Sequence, residues 1–180
     1  VTEKSTNLSE QNKIIFKVAK TKRQLEQCFS IRYSVFVVEQ KMFKKTDQDE
    51  FDNNAIHLAA INSDDGNVIS TVRCYQAGDN IWYGSRLAVP KEYRNHHSRI
   101  GIKLCKLAEK TVVEHGAKQF LAYIQIKNVR FFERLRWRKI DTPIMHLGVK
   151  HQLMEASLLG FNKHSEISIQ RKIQPVYVPD

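Results

Sequence analysis

The chain has 180 residues, 42% of them hydrophobic, with 29 basic against 19 acidic side chains and a formal net charge of +10. That length suits one domain able to bury a core without staples, and no apolar run is long enough to span a bilayer. Cys28, Cys74 and Cys105 are too scattered for a disulfide framework or a zinc site, so a reducing cytoplasm is the expected compartment. The basic balance favours anionic partners, either a phosphate-bearing small molecule or an acidic carrier protein. No motif for specific nucleic-acid binding accompanies it.

Residues 1–12 are polar, lack a secretory apolar core and are expected to form a mobile tail. Ile14 to Val18 reads as a strand. Thr21 is placed to cap a helix from Lys22, with Leu25, Cys28, Phe29, Ile31 and Val35 on its apolar side. Phe43 to Asn54 is polar and acidic and reads as a loop. Two strands follow, His57 to Asn62 and Val68 to Tyr75, joined by a turn whose Asp65-Gly66 step signals a hairpin. A second turn at Gly78-Asp79-Asn80 leads into a strand that ends at Val89, where Pro90 stops the ladder.

Ser98 to His115 has helical spacing, with Leu104, Cys105, Ala108 and Val112 on one face and Gly116 as the terminating residue. Phe120 to Ile126 is a nearly continuous apolar strand, which suggests burial on both faces. Asn128 is placed to cap a short helix with Phe131, Phe132 and Leu135 inward. Ile144 to Leu147 begins a last strand, and residues beyond Leu159 alternate too weakly to assign. The order β-α-β-β-β-α-β-α-β predicts a mixed sheet with helices on its faces.

A helix N-terminus offers unpaired N–H groups and positive potential to a pyrophosphate. The backbone amides of His96, His97, Ser98, Arg99, Ile100, Gly101 and Ile102 are the candidate donors. Glu39, at a helix end beside an apolar stretch, is the first candidate for a base of raised pKa. Asp47, Asp49 and Asp52 form a spaced carboxylate set that either binds a cationic amine or caps turns. They lack the glycine and terminal glutamate of a calcium loop. His57, Arg73, Tyr83 and Arg86 fall on the presumed central strands and are candidates to line an acceptor pocket. His146 and His151 lack the further ligands a metal site needs. Arg130, Arg134, Arg136, Arg138 and Lys139 form the densest basic patch.

The segments from Trp82 to Ala108 and from Phe120 to Trp137 resemble the acyl-CoA-binding half of the GNAT N-acetyltransferases. The pyrophosphate loop of that family places Gln or Arg, then Gly, then Gly or Ala where this chain has His96, Arg99 and Gly101; only Gly101 matches. The helix N-V-R-F-F-E-R-L-R-W is similar in aromatic placement, with Phe132 where many members carry a proton-donating tyrosine. Ile31 to Gln40, Thr46 to Leu58, Val68 to Arg73 and His151 to Leu158 resemble a bacterial GNAT subfamily found beside nitrilase genes and associated with nitrogen starvation. The first half is also similar to acyl-homoserine-lactone synthases, which take acyl chains from acyl carrier protein.

The resemblance implies an α/β (α+β) GNAT-like fold over residues 13–159, with a mixed, mostly antiparallel central sheet and helices on both faces. Residues 160–180 would be an extension, either a strand or a dimerisation arm. It implies acetyl-CoA or another acyl-CoA as donor, a small-molecule amine as acceptor, and a monomer or homodimer. Acyl carrier protein is the alternative donor, and a catalytically degenerate CoA-binding fold the non-enzymatic alternative. The backbone of Leu87, Ala88 and Val89 would polarise the thioester carbonyl or pair with pantetheine amides. Asn128 and Phe132 would border the cofactor, and Glu39, Tyr83 and Arg86 would serve the chemistry.

Overall fold

The structure is a computed structural model and describes residues 13–95 and 97–158. The tail before residue 13, the extension after residue 159 and His96 therefore lie outside the described residues. Strand β1 (Ile14–Val18) is followed by helix α1 (Lys22–Arg32), then β2 (Ile56–Asn62), β3 (Val68–Gly78) and β4 (Ile81–Ala88). The short helix α2 (Lys91–Arg94), the long helix α3 (Ile100–Glu114), β5 (Gln119–Gln125) and the short helix α4 (Val129–Arg134) come next. Three further strands close the fold: β6 (Trp137–Lys139), β7 (Ile144–His146) and β8 (Val149–Ala156).

They form one eight-stranded sheet in the order β1-β2-β3-β4-β5-β8-β6, with β7 also on β8. Every pair is antiparallel except β4 with β5, so the sheet is mixed and mostly antiparallel, as expected. Alternate residues of β2 serve opposite faces. Leu58 and Ala60 pack with Leu104, Cys105 and Ala108 of α3, while Ala59 and Ile61 pack with Cys28 of α1. The two main helices therefore cover opposite faces.

Local signals account for most element ends. Thr21 and Gln24 form a reciprocal capping box at the start of α1. Gly116, at φ 83°, ends α3 in the left-handed conformation that glycine tolerates best. Several expectations need correction. Helix α1 does not stay α-helical to Val35; from Tyr33 to Glu39 it widens into a π-helical segment that seats Val35 and Phe36 against Ala88. The acidic loop contains a 3₁₀ turn at Glu50–Asn54, capped by Asp49. The Asn128 side chain makes no capping hydrogen bond, because a 3₁₀ turn at Ile126–Asn128 leads straight into α4. The C-terminal part carries three strands where one was expected; β8, the longest of them, lies between β5 and β6.

Candidate active site

Strands β4 and β5 run side by side only where Ile81, Trp82 and Tyr83 face Gln119, Phe120 and Leu121. Beyond that the ladder ends, and the remaining halves of both strands line a cavity of about 390 Å³. Two local features open the gap. At its apex Gly84 lies under the ring of Phe120; a Cβ there would stand 2.8 Å from Phe120 Cζ. Further along, β4 carries a bulge. From Arg73 to Thr71 the partner on β4 moves from Ser85 to Ala88, one residue more than the pleat requires. The bulged Arg86 adopts φ 54°, a left-handed conformation rare for a residue with a side chain. Such a residue persists when its surroundings hold it.

Those surroundings are a buried ionic network. Arg32 is fully buried; its Nε donates to Asp47 Oδ2 at 2.7 Å and its Nη1 to Asp52 Oδ1 at 2.6 Å. Arg73, 1% exposed, forks onto Asp49, reaches Asp52 Oδ1 at 2.9 Å and donates from Nε to Ser85 Oγ at 2.9 Å. Arg86 donates to the Asp47 carbonyl and to Asp49 Oδ2, both at 3.0 Å, and lies over the Phe43 ring. Each buried charge thus has opposite charges and directional hydrogen bonds, which is what makes such burial tolerable. Burial alone would raise the Asp52 carboxyl, but the Arg32 and Arg73 guanidiniums outweigh it and hold it well below the usual carboxylate range. Burial, reinforced by Arg32, lowers the pKa of His57, whose Nδ1 has no hydrogen-bond partner in the described structure.

Asp47, Asp49 and Asp52 are engaged by the chain's own arginines, and Asp49 also caps its turn. Of the six, Asp49, Arg73 and Arg86 reach the cavity wall. Arg32, the innermost member, was not among the sequence candidates; the signal available was its helical spacing from Cys28, Phe29 and Val35, which puts a charge on the apolar side of the helix.

The other expected residues divide by position. Tyr83, Leu87, Asn128 and Phe132 line the cavity. Phe132 also packs edge-on against Phe131 and Trp137, so it is a core residue too. Ala88 is buried against Val35 and Phe36, and the Val89 carbonyl accepts from Arg94 Nε at 2.9 Å. Arg99 is the left-handed N-cap of α3, Ile100 is buried in the core, and Ile102 packs against it. A Cβ on Gly101 would meet only Phe131 and Val89 at ordinary contact distances of 3.6 and 3.8 Å. Close helix–strand packing therefore does not require glycine there, while the same contacts place the start of α3 beside the end of β4. His97 and Ser98 lie in the turn before α3.

Glu39 falls outside the cavity. It lines a separate groove between the α1 extension and α2, where it pairs with Arg94 at 2.8 Å. That hydrogen bond lowers its pKa, opposite to the rise a buried base needs. The cavity also has wall residues that the sequence did not single out for chemistry, among them Phe51, Tyr75 and Tyr123. Phe51, Tyr75, Tyr83 and Tyr123 form a stacked row with centroid separations of 4.4, 5.8 and 6.3 Å. Burial, with the neighbouring tyrosines, pushes Tyr83 up to about 12, so its hydroxyl stays protonated at neutral pH. His146 and His151 complete the same wall.

Comparisons with known proteins agree with this geometry. Residues 31–81 match the acetyltransferase (GNAT) domain. Over 138 residues, 76% of this chain, the sequence is 26% identical to an uncharacterized N-acetyltransferase, YjcF, of Bacillus subtilis and covers 95% of that protein. The fold resembles that of a putative N-acetyltransferase from Lactobacillus plantarum, with TM-score 0.70 and 23% identity, covering 81% of this chain and 97% of that one. It also resembles BjaI, a CoA-dependent acyl-homoserine lactone synthase, with TM-score 0.63 and 17% identity, covering 75% and 76% of the two chains. The domain match and the Bacillus relative support an enzyme of the N-acetyltransferase kind.

Proposed function

We propose that this protein transfers an acetyl or other acyl group from acyl-CoA to the amine of a small molecule, by direct attack of the amine on the thioester. The observation that carries this reading is the parting of β4 and β5 after Tyr83, with a bulge at Arg86. A strand whose ladder has ended offers backbone N–H and C=O groups to an amide-bearing chain. The pantetheine arm of CoA is such a chain. At the end of the same strand, the N-terminus of α3 suits the pyrophosphate.

The acceptor side is the face that carries the tyrosine row. Its charged wall residues belong to a network in which Arg32, Arg73 and Arg86 balance Asp47, Asp49 and Asp52. With no carboxylate in that network left unpaired and a net charge of +10, an amine with an apolar or aromatic body fits better than a polycation. A second reading, acyl transfer of the homoserine-lactone-synthase type, is favoured by the likeness to BjaI.

Calorimetric titration with acetyl-CoA, beside a Gly101→Trp variant, tests the donor. Saturable binding by the parent, at least tenfold weaker in a variant that melts like the parent, is expected. A folded parent that ignores acetyl-CoA overturns the reading. Rates with carrier-bound acyl groups against acyl-CoAs then separate the two readings.

A further inference from the structure

Direct attack on a thioester needs a group that takes the proton from the amine, and Glu39 lies outside the cavity. We infer that His151 is the proton acceptor, with its Nε2 facing the acceptor amine and His146 beside it. The inference rests on the acyltransfer reading above.

Position comes first. His151 pairs with Gln125, the last residue of β5, and Leu153 pairs with Tyr123. Directly paired residues project from the same face, so His151 shares the tyrosine-bearing face, at the open end of the gap. It lines the cavity and is otherwise buried, 5% exposed.

Tautomer comes second. His151 Nδ1 lies 2.8 Å from the Val149 carbonyl. A carbonyl only accepts, so Nδ1 carries the hydrogen and the neutral ring keeps its lone pair on Nε2. That nitrogen takes no hydrogen bond among the described residues. His146 packs edge-on, 5.5 Å between ring centroids, and its own Nδ1 is buried without a partner. A polar ring atom left unpaired in a cavity wall marks a place where a polar ligand or water belongs.

Charge comes third. His146 faces the ring from β7, the neutral Gln125 and Tyr123 from β5, and Arg86 acts on His146 from β4. Burial lowers the pKa of His151, partly offset by the Val149 hydrogen bond, so the ring is neutral and ready to accept at pH 7. Burial, His151 and Arg86 lower His146 as well.

In the step, the amine nitrogen forms a bond to the thioester carbonyl carbon and loses its proton to His151 Nε2. The carbon–sulfur bond breaks with its electron pair on sulfur. The thiolate takes up that proton from the imidazolium, directly or relayed through a water molecule, which restores the neutral ring.

The test compares the parent with His151→Gln. Ring-nitrogen NMR should find the parent's His151 neutral at pH 7.5, protonated on Nδ1, and titrating below 6.5. The variant should bind acetyl-CoA as the parent does, yet acetylate phenethylamine about 10²-fold more slowly and lose the acidic limb of its kcat/KM profile. A hydrogen on Nε2 in the neutral ring, or an unchanged rate and profile in the variant, overturns the inference. A parent that binds acetyl-CoA and acetylates no amine defeats the acyltransfer reading instead, and the NMR spectrum still decides whether His151 can accept a proton.

Discussion

Arg32 shows how much one side chain can organise. With no exposed surface, it holds Asp47 and Asp52 at 2.7 and 2.6 Å, and these fix the loop that holds Arg86 in its strained bulge. Replacing it by Met leaves Asp47 and Asp52 buried with fewer partners. Breaking a buried pair in this way costs about 3–5 kcal/mol. The Arg32→Met variant should therefore unfold at a clearly lower urea midpoint than the parent; a loss under 1 kcal/mol would mean that the network relaxes to admit water. The sequence displayed the three aspartates but not their use. Three carboxylates on a polar loop suit an external cation as well as internal arginines, and the arginines come from three separate elements.

At the scale of the element, β4 decides the site. Its first three residues pair with β5, Gly84 admits the Phe120 ring at the point of divergence, and the bulge at Arg86 turns the remainder. Phe120 is buried against Trp137, so its ring must shift to admit a Cβ at position 84. Gly84→Ala, a single added methyl group, should cost about 1–3 kcal/mol by overpacking and shift the near-ultraviolet signal of the aromatic cluster. An unperturbed melting temperature would show that the ring moves freely. The strand itself was legible from its apolar run between two turn signals. The bulge was not, because Arg86 is neither Gly nor Asn and nothing in its type signals a left-handed backbone.

The whole molecule carries a pH signature. His57, His146 and His151 all have lowered pKa values in the fold, chiefly through burial. Below about pH 6.5, the ordinary value, the unfolded chain binds protons that the native rings refuse. Stability therefore rises with pH up to that point and falls as pH drops below it. Asp52 adds a second loss at lower pH. Its contribution is complete above about 3.9 and disappears as the pH falls towards its depressed native value. Thermal melts between pH 4 and 8 should thus decline first below about 6.5. A melting temperature level from pH 5 to 8 would contradict neutral, buried histidines.

The sequence by itself determined the fold class, the first strands and helices and the turns between them. Their signals are local: a helix cap at Thr21, a hairpin at Asp65-Gly66, a helix stop at Gly116, and apolar periodicity. Tyr83, Leu87, Asn128 and Phe132, singled out in the sequence, line the cavity. Only the tertiary structure moved Glu39 to another groove and inserted β8 between β5 and β6. It alone brought His151 to the open end of the gap. Those outcomes depend on strand pairing between segments far apart in the chain, on which partner a charge meets, and on which edge a strand finds. None of these is encoded in the spacing of neighbouring residues.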